Sequence, residues 1–222
     1  MSGVVRPAPG GVGYIAEHAP LRTLIITAYR IKADQIMAAP GWIDTTLFDM
    51  DAKAARPSAI AELHTMLKNL LAERFRLQFH YEMKERPVYV LTVDRAAKNL
   101  TPHPPQSAAD PTIARALEKP LHPKWTMTSV SMDYFAYGLD FVVDRPVIDH
   151  TGIKGDFDFT LKYTADLPPG ISEKTIVNGE PLDTSGANIF EALREQLGLR
   201  LDPSQGPVQY MVIDHVERPS AN

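Results

Sequence analysis

Pro87-Val88-Tyr89-Val90-Leu91-Thr92-Val93-Asp94 has a counterpart 120 residues further on, Pro207-Val208-Gln209-Tyr210-Met211-Val212-Ile213-Asp214. Each is an apolar, β-branched run opened by a proline and closed by an aspartate, which reads as a strand. Alternation puts Val88, Val90 and Thr92 on one face and Tyr89, Leu91 and Val93 on the other. Both faces can be covered, as in a central strand. The residues ahead of each run also correspond: Arg76-Leu77 with Arg200-Leu201, and Phe48-Asp49-Met50 with Phe157-Asp158-Phe159. The spacers differ while the order persists. The expected fold class is therefore α+β, with two degenerate repeats of a β-α-β-α-β-β unit. Chance likeness between two amphipathic stretches is the competing reading.

Around those runs the elements follow from periodicity and caps. Residues 14–19 read as a strand. Pro20 then opens a helix whose apolar face is Leu21, Leu24, Ile25 and Ala28. Pro40-Gly41-Trp42 is a turn, and 47–54 a strand. Ser58 is placed to cap a helix with the stripe Ile60, Leu63, Leu67, Leu70, Leu71 and Arg74. Strands at 75–82 and 87–94 are joined at 83–86. In the second half, 125–130 is a strand and Ser131 caps a helix carrying Met132, Phe135 and Leu139. Residues 145–149 and 155–163 are extended. Asn188 with Glu191 starts a helix bearing Ile189, Ala192, Leu193 and Leu197, and Gly198 ends it. A closing pair, 199–202 and 207–216, surrounds Pro203-Ser204-Gln205-Gly206.

Proline punctuates the middle of the chain, with Pro102, Pro104, Pro105, Pro111, Pro120 and Pro123 close together. The expected division is 1–94 as a first α+β half, 95–123 as a Pro-rich linker or excursion, and 124–222 as a second half. Within the linker, Ala114, Leu117 and Leu121 allow one helical turn. Residues 166–186 form a second irregular stretch. Gly10-Gly11-Val12-Gly13 lies near the terminus and reads as a flexible tail rather than a phosphate cradle.

Composition bounds the function. The 222 residues are 44% hydrophobic and 23% charged, so a sizeable core is available. Lys plus Arg number 23 against 27 Asp plus Glu, which provides no basic stripe for nucleic acid and no polybasic membrane patch. No apolar run reaches the ~20 residues of a membrane span. Cysteine is absent, which removes disulfides, thiolate metal sites and a cysteine nucleophile. Met1-Ser2-Gly3-Val4-Val5-Arg6-Pro7 has no apolar signal core. The chain is either cytoplasmic or one from which an export signal has been removed.

Four motif groups together resemble an uncharacterised, soil-associated domain family of unknown function, expanded in soil Acidobacteria. The first is Pro40-Gly41-Trp42-Ile43-Asp44 with Phe48-Asp49-Met50-Asp51-Ala52-Lys53. The second runs from Met66 through Leu77 and on to His80 and Pro87-Val88-Tyr89. The third is Asp144-Arg145-Pro146-Val147-Ile148-Asp149 with Thr151-Gly152 and Gly155. The last is Glu195-Gln196-Leu197-Gly198-Leu199 with Val212-Ile213-Asp214-His215-Val216-Glu217-Arg218-Pro219 and Asn222. The resemblance implies an exported protein, and some members are fused to membrane-bound antirepressor-type metallopeptidase sensors. The chain departs from the family at its start, where a first strand and a signal peptide are missing. The helix–Gly–Leu–strand ending of each half is also similar, more weakly, to the short N-terminal domain of secretins and TonB-dependent receptors. That likeness implies binding of peptides or partner proteins without chemistry.

Motifs for the common catalytic frameworks are absent: no G-x-S-x-G, no H-E-x-x-H, no Walker loop, no dinucleotide fingerprint. The sequence offers no cofactor-binding residue. The candidate catalytic residues are Asp149-His150, Asp214-His215 and His80, the last with Glu82 on its face. A carboxylate beside an imidazole can orient a base or bind a metal. Strand neighbours point to opposite faces, so a site needs partners brought together across strands. The plainer reading is a strand end with solvated polar side chains. Asp156 and Asp158 are the metal candidates, since carboxylates two apart on a strand share a face and suit Ca²⁺. Asp49 and Asp51 repeat that pattern, and a solvated face opposite a core face explains both pairs. The leading function is a ligand- or partner-binding module taking a small molecule, peptide or protein, with an exposed sheet edge as one route. The alternative is a hydrolase for a small ester or lactone, using Asp/His residues from both halves. A purely structural domain tethered to a sensor is the third reading.

Overall fold

The computed structural model describes residues 3–104, 110–172, 174–177 and 179–219. Met1, Ser2, Pro105 and Asn222, named above, lie outside the described residues. The fold is α+β. It divides into two compact units, one made of Met1–Glu85 with Pro207–Asn222, the other of Arg86–Gly206. That boundary differs from the expected linker at 95–123, because two long strands each serve both units.

In the first unit the order is β1 (Val4–Pro7), β2 (Gly13–Pro20), α1 (Leu21–Tyr29), β3 (Ile36–Met37), α2 (Trp42–Thr45), β4 (Leu47–Lys53), α3 (Ile60–Phe75) and the start of β5 (Gln78–Val93). Strands β1, β2 and β4 form an antiparallel sheet in that order. Leu21, Leu24, Ile25 and Ala28 are buried as their spacing required. On α3 the buried residues are Leu63, Leu67, Leu71 and Phe75, a stride of four along one face. Leu70 is only half-buried, at the flank of that stripe. Ser58 does not cap α3. Its hydroxyl donates to the Arg56 carbonyl and its amide donates to Gly11, so Ala59 enters the helix uncapped.

Gly10–Gly13 is no flexible tail but the tight link between β1 and β2. A Cβ on Gly13 would stand 1.9 Å from the Ala52 carbonyl oxygen, so only glycine lets β4 approach there. The unit's core joins α1, α3 and β2 with Ile36 and Ile43. Met211 and Ile213, from the far end of the chain, complete it.

The second unit takes up β5 from Arg86 and continues through β6 (Thr101–Pro102), β7 (Thr112–Lys119), β8 (His122–Val130), α4 (Met132–Leu139), β9 (Val147–Asp149) and β10 (Phe157–Lys162). It ends with the short pair β11 (Ile176–Val177) and β12 (Glu180–Pro181), then α5 (Ile189–Ala192) and β13 (Leu199–His215). The sheet order is β6-β10-β8-β7. The expected linker is thus largely a hairpin, β7–β8, turned at Pro120 with Leu121 left-handed at φ 65°. Ala114 and Leu117 lie in β7, not in a helical turn. Strand β7 is exposed along almost all its length, so no periodicity marked it. Ser131 caps α4 by accepting the Tyr134 amide. Asn188 and Glu191 form the reciprocal capping box of α5, which runs into a wider π-turn at Leu193–Leu197 and stops at left-handed Gly198. Phe159 and Leu161 face the core from β10.

The two expected closing hairpins are each one unbroken strand, β5 and β13. Met83, Glu85 and Arg86 are exposed midway along β5, and Pro203, Ser204 and Gln205 midway along β13. Where a strand leaves one core for the next its apolar pattern lapses, and that lapse imitates a turn. In the first unit β3 pairs in parallel with β13. In the second, β9 pairs in parallel with β5.

Each unit also carries one bulge of the same build. In β2 His18 is left-handed (φ 49°) and its amide donates to Asp49 at 2.8 Å. In β8 Ser129 is left-handed (φ 55°) and its amide donates to Asp158 at 2.8 Å. A carboxylate on the neighbouring strand thus satisfies the amide that each bulge frees from the ladder.

Candidate functional site

Strand β4 is an edge. It pairs with β2 on one side only, and no strand among the described residues pairs with the other. The Ala54 amide donates to Val12, which sets the phase of the ladder. Even-numbered residues bond to β2, so the amides and carbonyls of Asp49, Asp51 and Lys53 turn outward. The side chains alternate across this edge. Phe48, Met50 and Ala52 lie half-buried against the core, with Phe48 edge-on to Phe75 at 5.1 Å. Leu47, Asp49, Asp51 and Lys53 are exposed.

On the core side, β4 and α3 do not close on each other. A cleft of about 260 Å³ opens between Phe48, Asp49, Met50, Asp51, Arg74 and Phe75. A second, of about 320 Å³, opens between Tyr14, Ala54, Leu63, Met66, Leu67 and Leu70. Ala52 and Leu70 line both. Small Ala52 leaves the gap, and Met66, an adaptable side chain, stands exposed at its rim. An unpaired strand edge above a groove with two pockets can hydrogen-bond an extended chain and seat its alternate side chains.

The candidate catalytic residues have other partners. His80 and Asp214 do meet across β5 and β13, with Nδ1 2.8 Å from the carboxylate. The His80 Nε2 faces Glu82 at 3.6 Å. Lys84 first, and His80 after it, hold the Glu82 carboxyl below its usual range. Both His80 nitrogens thus face carboxylates, Nδ1 at hydrogen-bond distance and Nε2 beyond it. His215 pairs with Glu217 at 2.8 Å, two residues past the end of β13. Asp149 accepts the Thr151 amide at 2.8 Å in a local turn, and the His150 amide bonds to Leu91. Asp149 and His150 belong to the second unit, Asp214 and His215 to the first.

Of the metal candidates, Asp156 uses its carbonyl to accept the His103 amide. Asp158 accepts both the Ser129 amide and His103 Nδ1, at 2.8 Å each. The Ser129 amide, with His103 behind it, lowers the Asp158 pKa. Among the described residues no three His, Cys, Asp or Glu side chains gather as a metal site. His103 was missed because it sits among prolines with no periodic signal. Its ring is nearly buried, and its Nε2 has no hydrogen-bond partner among the described residues. The groove residues Tyr14, Ala52 and Met66 were missed as well, because a gap between elements leaves no linear motif. The β4 alternation was the one available signal.

The sequence profile of a family described as protein of unknown function, DUF3738, matches residues 22–216. The chain belongs to that family. No curated protein and no solved structure matches it. The motifs that stand out in this DUF3738 chain serve largely as joints. In Pro40-Gly41-Trp42-Ile43-Asp44, Ile43 is buried and the Asp44 carboxylate grips the Arg22 guanidinium with two hydrogen bonds. In the third motif, Arg145 lies over the Tyr89 ring and the Pro146 carbonyl accepts the Tyr89 amide. Gln196 bonds both the amide and the carbonyl of Lys162, as a strand neighbour would. Arg218 lies over Trp42. No helix among the described residues is long and apolar enough to cross a membrane.

Proposed function

We propose that this DUF3738 chain is a partner-binding module that takes an extended polypeptide segment onto the free edge of β4, in an extracytoplasmic setting. The observation that carries the reading is the outward-turned backbone of Asp49, Asp51 and Lys53 above the groove between β4 and α3. Main-chain bonds supply affinity in such a mode, and pockets for alternate side chains supply selectivity. The resemblance to the short N-terminal domain of secretins and TonB-dependent receptors points the same way. The two halves, 1–94 and 124–222, each with a carboxylate-held bulge ahead of a helix, are read as degenerate repeats of one unit. A hydrolase has less support, since both His80 nitrogens face carboxylates.

Asp51→Pro is the test. Proline there removes an outward amide and leaves the even-numbered bonds to β2 in place. Extended random peptides displayed on phage are selected on the native protein and on Asp51→Pro, with Asp51→Ala as control. The expected result is enrichment of peptides that bind the native protein, keep measurable binding to Asp51→Ala, and lose Asp51→Pro. Enriched peptides that bind all three alike, or no enrichment at all, would overturn the reading.

A further inference from the structure

Resting on that strand-addition reading, we infer that the partner segment alternates apolar and basic residues. An added strand shares the pleat of β4, so its side chains fall alternately on the groove face and on the opposite face. On the groove face two successive inward side chains, about 7 Å apart at ~3.4 Å per residue, reach the two clefts on either side of Ala52 and Leu70. Each cleft accepts one aliphatic or aromatic side chain. On the opposite face the intervening residues come beside Asp49 and Asp51. Asp49 is engaged by the His18 amide and lies 3.5 Å from its ring, and Asp51 lies 3.6 Å from Lys53. Both carboxylates remain exposed to an incoming strand.

Antiparallel self-pairing with the groove faces aligned centres on Asp49, Met50, Asp51 or Ala52. The first two set carboxylates directly opposite one another, the third sets Asp51 against Asp51 between two Asp49–Lys53 pairs, and the fourth sets Asp51 against Lys53 and leaves Asp49 without an opposite charge. A strand with lysine or arginine at those positions opposes both carboxylates at once, so the edge favours a basic strand over its own copy.

Three short synthetic peptides test this on the full chain by fluorescence anisotropy: alternating leucine and lysine, alternating leucine and glutamate, and alternating serine and lysine. The leucine–lysine peptide should bind at least about tenfold more tightly than either other, since two cross-strand charge pairs and two filled clefts separate them. Asp49→Asn with Asp51→Asn should cost the leucine–lysine peptide about tenfold and flatten its salt dependence. Asparagine at 49 keeps an acceptor for the His18 amide, and Asp51→Asn alone gives a milder variant with the same sign. If leucine–glutamate binds as well as leucine–lysine while Asp51→Pro abolishes both, the basic partner is wrong and strand addition stands. If serine–lysine equals leucine–lysine, the clefts are not used and the inference fails. If leucine–lysine binding survives Asp51→Pro, strand addition itself fails.

Discussion

Leu67→Ala and Leu71→Ala, compared side by side, test the groove without any ligand. Both leucines are buried on α3, at 2% and 0% exposure, and the chemistry removed is the same. Losing three carbons forfeits about 2.4 kcal/mol of transfer free energy at ~0.8 per methylene. Their surroundings differ. Leu67 lines the larger cleft, so the space it vacates joins one that already opens outward. Leu71 lines neither cleft, and its removal leaves a closed void. At ~24 cal/mol per Å³, a void of roughly 60 Å³ adds about 1.5 kcal/mol. Leu67→Ala should therefore cost about 2.5 kcal/mol and Leu71→Ala about 4. Urea unfolding followed by circular dichroism and tryptophan fluorescence reads the difference as a shift in midpoint at constant m. Equal costs, or the reverse order, would mean that the space between β4 and α3 is closed in solution.

Two further outcomes concern the joints. Arg22 holds the Asp44 carboxyl below its usual range, so this pair stabilises above the ordinary carboxylate pKa and fades as pH falls through the lowered one. Asp44→Asn should cost about 1 kcal/mol at pH 7, discounted for exposure, and the gap to the native protein should narrow in thermal melts below about pH 4. Asp158→Ala should lower the melting temperature by leaving the left-handed Ser129 amide unpaired, whereas Ser129→Gly in that background should recover part of the loss, because glycine adopts φ 55° without strain. An Asp158→Ala protein that melts like the native one would remove Asp158 from that role.

Local signals in the sequence were reliable where an element's own face or cap defines it. Leu21, Leu24, Ile25 and Ala28 fix α1, Ser131 opens α4, and the Asn188–Glu191 box with Gly198 brackets the last helix. Misreadings arose where burial depends on distant chain. Strand β7 packs little beyond Ile113 against the core and sits among prolines, so it resembled a linker. Pro203-Ser204-Gln205-Gly206 has turn chemistry, yet it lies inside β13. Of the site, the alternation at β4 was legible, but its free edge was not, because an edge is defined by the strand that is missing. The partner of Asp214 was equally hidden: His80 lies 134 residues away, and no rule of spacing links them.

The first unit is assembled from both ends of the chain, while the second is a single uninterrupted stretch. During synthesis the inner unit has all its residues in hand before the outer one does. Until residues 207–216 emerge, the outer core lacks Met211 and Ile213, both buried in the finished fold. The ordering of the chain ties completion of that core to the emergence of β13.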